Sequence, residues 1–209
     1  LSTYKKCPKL WQWNYVLGNR EPDKPAALRG SDLHLRLEEF FKGGSYPSTI
    51  AALKPWQRFM ENLTRYNPSP EAALAVNKEW QPCGFEDKDA YARGKADLLY
   101  TLDRRRHILD WKSGRVYPDH EAQGEMYVAM DEDTGEYELF ETQFVYLDIP
   151  LHVVPRRYSH GDRQIKIAKL IQQIDIVNAD EVYAPTPSHE SCRYCPLSWR
   201  NGGDCRSAP

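Results

Sequence analysis

Apolar side chains recur along this chain in two rhythms, and most of its elements can be read from where one rhythm gives way to the other. Tyr4 to Val16 is dense in large rings, Trp11, Trp13 and Tyr15 among them, and reads as a segment that packs down. Pro22 and Pro25 mark a loop. Ser31 or Asp32 then caps a helix that runs through Phe41 to a stop at Gly43-Gly44. Its His34, Leu37, Glu38 and Phe41 follow helical spacing, so His34 and Glu38 share a face. A second helix covers Lys54 to Tyr66 on a stripe of Trp56, Phe59, Met60 and Leu63, and Asn67-Pro68-Ser69-Pro70 ends it. Ala72 to Trp80 suits helix or strand, and a strand over Leu74 to Gln81 is preferred.

Period-two alternation is clearest in Lys95 to Leu102 and His107 to Lys112, a hairpin joined across Asp103-Arg104-Arg105-Arg106. Pro118 and a capping Asp119 start a helix that reaches about Met130, and an acidic turn follows from Asp131 to Glu136. Leu139 to Val154 reads as one or two strands. Asp162 to Val177, with Ile165, Ala168, Ile171, Ile174 and Ile176, is the longest amphipathic helix. The chain closes on a cysteine-rich tail poor in apolar residues, and it contains no internal repeat. The pattern is that of an α/β protein.

Composition narrows the class. The 209 residues suit one domain with a real core, expected here to span 1–209, with segments 1–20 and 188–209 as an appended module. A mean hydropathy of −0.72 leaves no apolar run long enough to cross a membrane. The chain opens on Leu1-Ser2-Thr3 without a methionine or an apolar signal region, so the expectation is a trimmed, cytoplasmic protein with no membrane partner. A net charge of −2 argues against a non-specific nucleic-acid coat. Two basic clusters remain as local contact candidates or solvated faces: Arg104-Arg105-Arg106-His107, and Arg156-Arg157 with His160, Arg163, Lys166 and Lys169.

The hairpin carries the chemistry. Strand alternation points Asp110 and Lys112 one way and Leu109 and Trp111 the other. With a four-residue turn over Asp103 to Arg106, Leu102 pairs with His107 and Asp97 with Lys112, which sets Asp97 diagonal to Asp110 on one face. A three-residue turn would send Asp97 to the other face. Two neighbouring carboxylates repel unless a cation lies between them, and a hard divalent metal held by oxygen resolves this. A lysine one pleat away can stabilise charge developing on a phosphate. An isolated Asp-x-Lys is most often a surface ion pair. Here it is joined by Gly94-x-x-Asp97 before it and by Gln123 and Tyr127, one helical turn apart, after it.

The order Gly30-x-x-x-His34-x-x-x-Glu38, Gly94-x-x-Asp97, Asp110-Trp111-Lys112 and Gln123-x-x-x-Tyr127 resembles the RecB-like branch of the PD-(D/E)XK nuclease superfamily. The resemblance implies a restriction-endonuclease-like mixed sheet flanked by helices and metal-assisted cleavage of DNA, single- or double-stranded. By matching motif, His34, Asp97, Asp110 and the Trp111 carbonyl would hold Mg2+ or Mn2+. Lys112 would be the catalytic lysine, and Gln123 and Tyr127 would line the site. An imidazole ligand favours manganese. Glu79 is a candidate extra carboxylate or a solvated residue, and Glu38 a supporting one.

Cys192-x-x-Cys195 can share one metal, and Cys205 makes three thiolates, one short of a tetrahedral set. Cys7 supplies the fourth if the ends meet, while Cys83 reads as a free thiol. The Cys7-Pro8 context resembles the iron-sulfur nucleases of this branch, the CRISPR-adaptation and helicase-nuclease proteins, in which such a quartet holds a 4Fe-4S cluster. The Cys195-to-Cys205 gap is longer than in that pattern, which leaves structural Zn2+ open. In either case the role is a clasp between the termini.

The leading expectation is a metal-dependent DNA nuclease, an exonuclease with partners in recombination, repair or CRISPR adaptation. The alternatives are a non-catalytic DNA-binding or scaffold subunit that keeps a nuclease fold, and a phosphohydrolase acting on RNA or nucleotides.

Overall fold

The computed structural model describes residues 1–19, 24–117, 119–132, 134–207 and 209. Its contacts divide the chain into two compact units, Pro25–Leu170 and a unit made from both ends, Leu1–Lys24 with Ile171–Pro209.

The larger unit is built on a five-stranded sheet in the order β1-β2-β3-β4-β5. The strands are Ser69–Val76 (β1), Ala92–Leu102 (β2), Arg105–Lys112 (β3), Leu139–Tyr146 (β4) and Val153–Tyr158 (β5). Neighbours are antiparallel except β3 and β4, which run parallel and are connected through helix α5, Asp119–Met130. Parallel neighbours need such a crossover, and the sheet is therefore mixed. Pro118 and the Asp119 side chain, expected as a helix start, lie outside the described residues, as do Pro22 and Asp133.

Helix α3 spans Pro25–Phe41 and so begins six residues before the expected Ser31 cap. Proline suits the first turn, Ala26, Ala27 and Leu28 are good helix formers, and Asp32 pairs with Arg36 one turn on instead of capping. Gly43, at φ 100°, closes the helix where expected. Helix α4, Gln57–Leu63, is flanked by single 3-10 turns at Lys54–Trp56 and Thr64–Tyr66. Together α3 and α4 cover one sheet face with Leu33, Leu37, Trp56 and Met60, which pack against Leu98, Leu109 and Trp111.

Two strand expectations are corrected. The first strand is Ser69–Val76, not Leu74–Gln81. Asn77 accepts the Gln81 amide on its side chain and the Trp80 amide on its carbonyl, which folds 77–80 into a turn. Glu79 is thus an exposed turn residue. The hairpin turn has two residues, not four: Leu102 pairs with Arg105 and Leu98 with Leu109. Asp103 and Arg104 both adopt left-handed φ, 49° and 56°, the twist that two-residue hairpins require. Shortening the turn by two residues preserves parity, so Asp97 keeps its face but steps opposite Asp110 instead of Lys112.

The basic clusters are largely neutralised from within. Arg106 forms a two-point bond with Asp131, which is buried at the start of the acidic turn. Arg157 bonds Glu141, and Lys166 and Lys169 both bond Glu125. These last two, with Arg163, lie on α6, His160–Ala179, where Arg163 donates to the carbonyls of Val128 and Asp131.

In the unit of the two ends, α1 (Ser2–Lys6) and α2 (Pro8–Trp11) meet at an extended Cys7. The Tyr4 hydroxyl donates to Asp180 at 2.5 Å, Trp11 stacks on Tyr183, and Thr186 donates to the Lys6 carbonyl. A short helix, α7, covers His189–Cys192. Among the described residues no helix is long and apolar enough to cross a membrane.

Candidate active site

Strand β3 presents Asp110 and Lys112 on the face covered by α5, while Trp111 turns the other way and stacks on Phe41 at 6.0 Å. The approach of α5 to the sheet is close because position 124 is glycine. A Cβ there would stand 2.9 Å from the Phe144 ring and 3.0 Å from the Thr142 hydroxyl. That closeness lets the helix reach down with Gln123 and Tyr127. The Gln123 amide donates to Asp110 Oδ1 at 2.9 Å and to the Tyr127 hydroxyl at 2.6 Å, and its Oε1 accepts from Lys112 Nζ at 2.6 Å. Tyr127 also donates to Asp110 Oδ1 at 3.2 Å. Lys112 completes the ring as an ion pair with Asp110 Oδ2.

Asp97 joins from β2. Its Oδ2 accepts the Trp111 amide at 2.6 Å, in the place of a ladder bond, and its Oδ1 meets His34 Nδ1 at 2.9 Å. The structure thus gathers His34, Asp97, Asp110, Lys112, Gln123 and Tyr127 into one connected network. Glu38 stands one helical turn beyond His34 and is paired with Lys42.

The electrostatics follow from burial and like charge. Asp110 is only 3% exposed. Burial, then the charge of Asp97, pushes its carboxyl up to about 6 against the pull of Lys112. For His34 burial works against the charged ring, but the bond to Asp97 and its charge outweigh it, and the imidazole is raised. Tyr127 is raised by burial and by Asp110.

One acid escaped the sequence reading. Glu71, in β1, lines an open cleft of about 500 Å3 together with His34, Glu38, Asp97 and Ser113. Burial and the charges of Asp97 and Glu38 raise its carboxyl. No motif marks it. Its signal is spatial, and Glu79, the acid the sequence suggested instead, is elsewhere.

Asp110 Oδ2 is buried, with the Lys112 ammonium paired to it. Carboxylates that crowd one another form a donor set that fits a hard divalent ion with an imidazole beside it. As the side chains stand, no three of His, Cys, Asp and Glu among the described residues are close enough to hold one ion.

Cys7, Cys192, Cys195 and Cys205 surround one small pocket, and none is in a disulfide. Cys192 ends α7, and Cys205 bridges back to Ser198. Burial pushes the Cys195 thiol up, and nearby Cys7 and Cys192 add to that. Such a donor set suits a soft metal or a cluster. Cys83, in the larger unit, is also free.

A family model described as the PD-(D/E)XK nuclease superfamily matches residues 1–200. A search of the curated proteins finds no match. Among solved structures, the chain is similar to that of SSO0001, with a TM-score of 0.51, 15% identity and coverage of 97% of this chain and 82% of that one. It is also similar to a protein of Eubacterium rectale named "Putative exonuclease", with a TM-score of 0.53, 14% identity and coverage of 93% and 81%. At these identities the two likenesses speak to the fold.

Proposed function

As the chain belongs to the PD-(D/E)XK nuclease superfamily, we propose that it is a divalent-metal-dependent deoxyribonuclease of the RecB-like, iron-sulfur branch, cleaving DNA as an exonuclease. The observation that carries this reading is the ring of Asp110, Lys112, Gln123 and Tyr127, closed against Asp97 and His34. A module that only bound DNA would have no use for a lysine held against two facing carboxylates.

In this reading His34, Asp97, Asp110 and the Trp111 carbonyl hold Mg2+ or Mn2+, which when bound supplies positive charge to the scissile phosphate and activates water. Lys112 stabilises the negative charge that develops on the phosphate and helps align the attacking water. Gln123 fixes the Lys112 ammonium and the Asp110 carboxylate in one geometry, and Tyr127 supports both. Cys7, Cys192, Cys195 and Cys205 hold a 4Fe-4S cluster, with structural Zn2+ as the alternative, and the whole chain works as one nuclease domain with a cysteine module.

Incubation with end-labelled linear DNA, circular DNA and RNA tests the activity. Linear DNA is expected to shorten from its ends with Mg2+ or Mn2+ and to survive chelator, and circular DNA to remain whole. If freshly purified, cluster-intact protein leaves every DNA intact, the nuclease reading fails. If RNA alone is cut, the substrate is wrong. Binding of the metal, followed by calorimetry, should weaken as the pH falls, by about tenfold per pH unit for each proton displaced, because protons on Asp110, whose carboxyl is raised to about 6, and on His34, whose imidazole is also raised, compete with the ion.

The cysteine assignment has its own test. Protein purified without oxygen should be brown, and Cys195→Ser should bleach it and lower its melting temperature. A colourless protein carrying stoichiometric zinc would replace the cluster with a zinc clasp. Absence of both metals would remove the clasp altogether.

A further inference from the structure

The long gap between Cys195 and Cys205 builds a braced loop. Leu197 and Ser198 turn inward, 9% and 1% exposed. A single 3-10 turn follows at Trp199–Asn201, and Gly202, at φ 90°, reverses the chain. The return is close, since a Cβ at Gly203 would stand 2.3 Å from the Leu197 carbonyl. Cys205 donates its amide to that same carbonyl at 2.8 Å. The Asn201 side chain donates to the carbonyls of Cys195 at 2.9 Å and Arg193 at 3.2 Å, which ties the loop to the backbone that carries Tyr194.

This loop keeps its small and aliphatic residues in and its rings out. Trp199 is 46% exposed and Tyr194 68%. Each ring lies under a guanidinium, Arg200 at 5.4 Å over Trp199 and Arg193 at 5.2 Å over Tyr194, and Lys24 Nζ is 5.9 Å from the Tyr194 centroid. Among the described residues none of these three cations is held in a salt bridge. One exposed ring is ordinary. Two rings on one braced segment, each beside an unneutralised cation, match an unstacked base joined to a phosphate. A duplex offers no such face, because its bases are already stacked on one another. An apolar partner would use the rings without the cations, and an acidic peptide the cations without the rings.

We propose that Trp199 and Tyr194, with Arg200, Arg193 and Lys24, form a stacking platform for single-stranded DNA on the terminal unit. Bases stack on the two rings, and the cations meet the phosphates. The choice of DNA over RNA rests on the nuclease reading above, whereas the stacking contact needs no cleavage.

The test is fluorescence anisotropy on the full chain as purified, with labelled oligo-dT, oligo-rU and a duplex, in Ca2+ so that nothing is cut. Trp199→Ala and Tyr194→Ala should each bind oligo-dT about tenfold more weakly, the size of one lost base stack, with duplex affinity and melting temperature unchanged. Trp199→Phe keeps a π face and should stay within about threefold of the parent. Arg200→Gln should lower the slope of log affinity against log salt by about 0.7, the value for one phosphate contact on a single strand. A parent that does not hold oligo-dT, or alanine variants that hold it as the parent does, would overturn the platform. So would an equal loss on the duplex. Tighter binding of oligo-rU than of oligo-dT overturns the choice of DNA. A parent that dimerises in sedimentation, with Trp199→Ala monomeric and its DNA affinity intact, gives the rings to a second copy instead. Cleavage with Mg2+ or Mn2+ is scored separately. A parent that cuts DNA while the ring variants bind as it does keeps the nuclease reading and loses the platform. One that holds oligo-dT through these rings without cutting keeps the platform and loses the nuclease reading.

Discussion

Lys112→Ala should lower DNA cleavage by about three orders of magnitude while leaving DNA affinity within a few-fold, a loss in the range seen when one preorganised group at a charged transition state is removed. The expectation follows from where the ammonium is held. Lys112 Nζ is anchored by Gln123 and paired with Asp110, its side chain 15% exposed, so it is aimed into the site instead of sampling solvent. A surface lysine that only attracted DNA would contribute to affinity and little to the chemical step. Single-turnover cleavage of an end-labelled strand measures the first quantity, and fluorescence anisotropy with Ca2+ in place of the active metal measures the second. Equal loss in both would reassign Lys112 to binding. Arginine should not restore cleavage, because its planar fork does not fit a socket shaped by one carboxylate and one amide oxygen.

Trp56→Ala is the stability counterpart, expected to cost about 3–5 kcal/mol, the range for deleting a fully buried aromatic. Its side chain is completely buried, meets Phe59 edge-on at 5.6 Å, and donates Nε1–H to the Leu147 carbonyl at 3.2 Å. Truncation leaves a cavity and strips a buried carbonyl of its donor. Leu147 in turn donates its amide to the Lys112 carbonyl at 2.9 Å. The damage therefore lies next to the strand end that carries Lys112. In a chain of this size the melting temperature should fall by about 10 °C or more, followed by circular dichroism. A variant as stable as the parent would mean that α3 and α4 do not pack on the sheet around this residue.

The helices and the hairpin were legible because their apolar residues keep a strict period, as in Trp56, Met60 and Leu63 or in Leu109 and Trp111. The convergence of the polar cluster was legible too, since His34, Asp97, Asp110, Lys112, Gln123 and Tyr127 come together as their spacing suggested. The register was not. A two-residue turn usually announces itself by glycine or asparagine, and Asp103-Arg104 carries the same backbone with a residue that gives no such signal. Asp97 stayed on the right face only because the error was of two residues, an even number. The basic clusters misled for another reason: a sequence displays charges but not partners, and Asp131, Glu141 and Glu125 come to Arg106, Arg157 and the α6 lysines from distant parts of the chain. Glu71 depends on both strand pairing and a left-handed φ, neither of which any local pattern encodes.

The joining of the two ends in one unit has a consequence for how the protein is made. Tyr4 and Asp180, bonded in the finished molecule, are 176 residues apart, so this contact closes a loop nearly as long as the chain. Such contacts form late, since the entropy of loop closure must be met before they return anything. On the ribosome the sheet unit, Pro25–Leu170, is synthesised before the second half of the terminal unit. Cys7 is made before the sheet unit, and Cys192, Cys195 and Cys205 are made after it. The segment made ahead of the sheet unit is thus ordered after it, and any metal or cluster at that quartet can be installed only after the sheet unit has had time to fold.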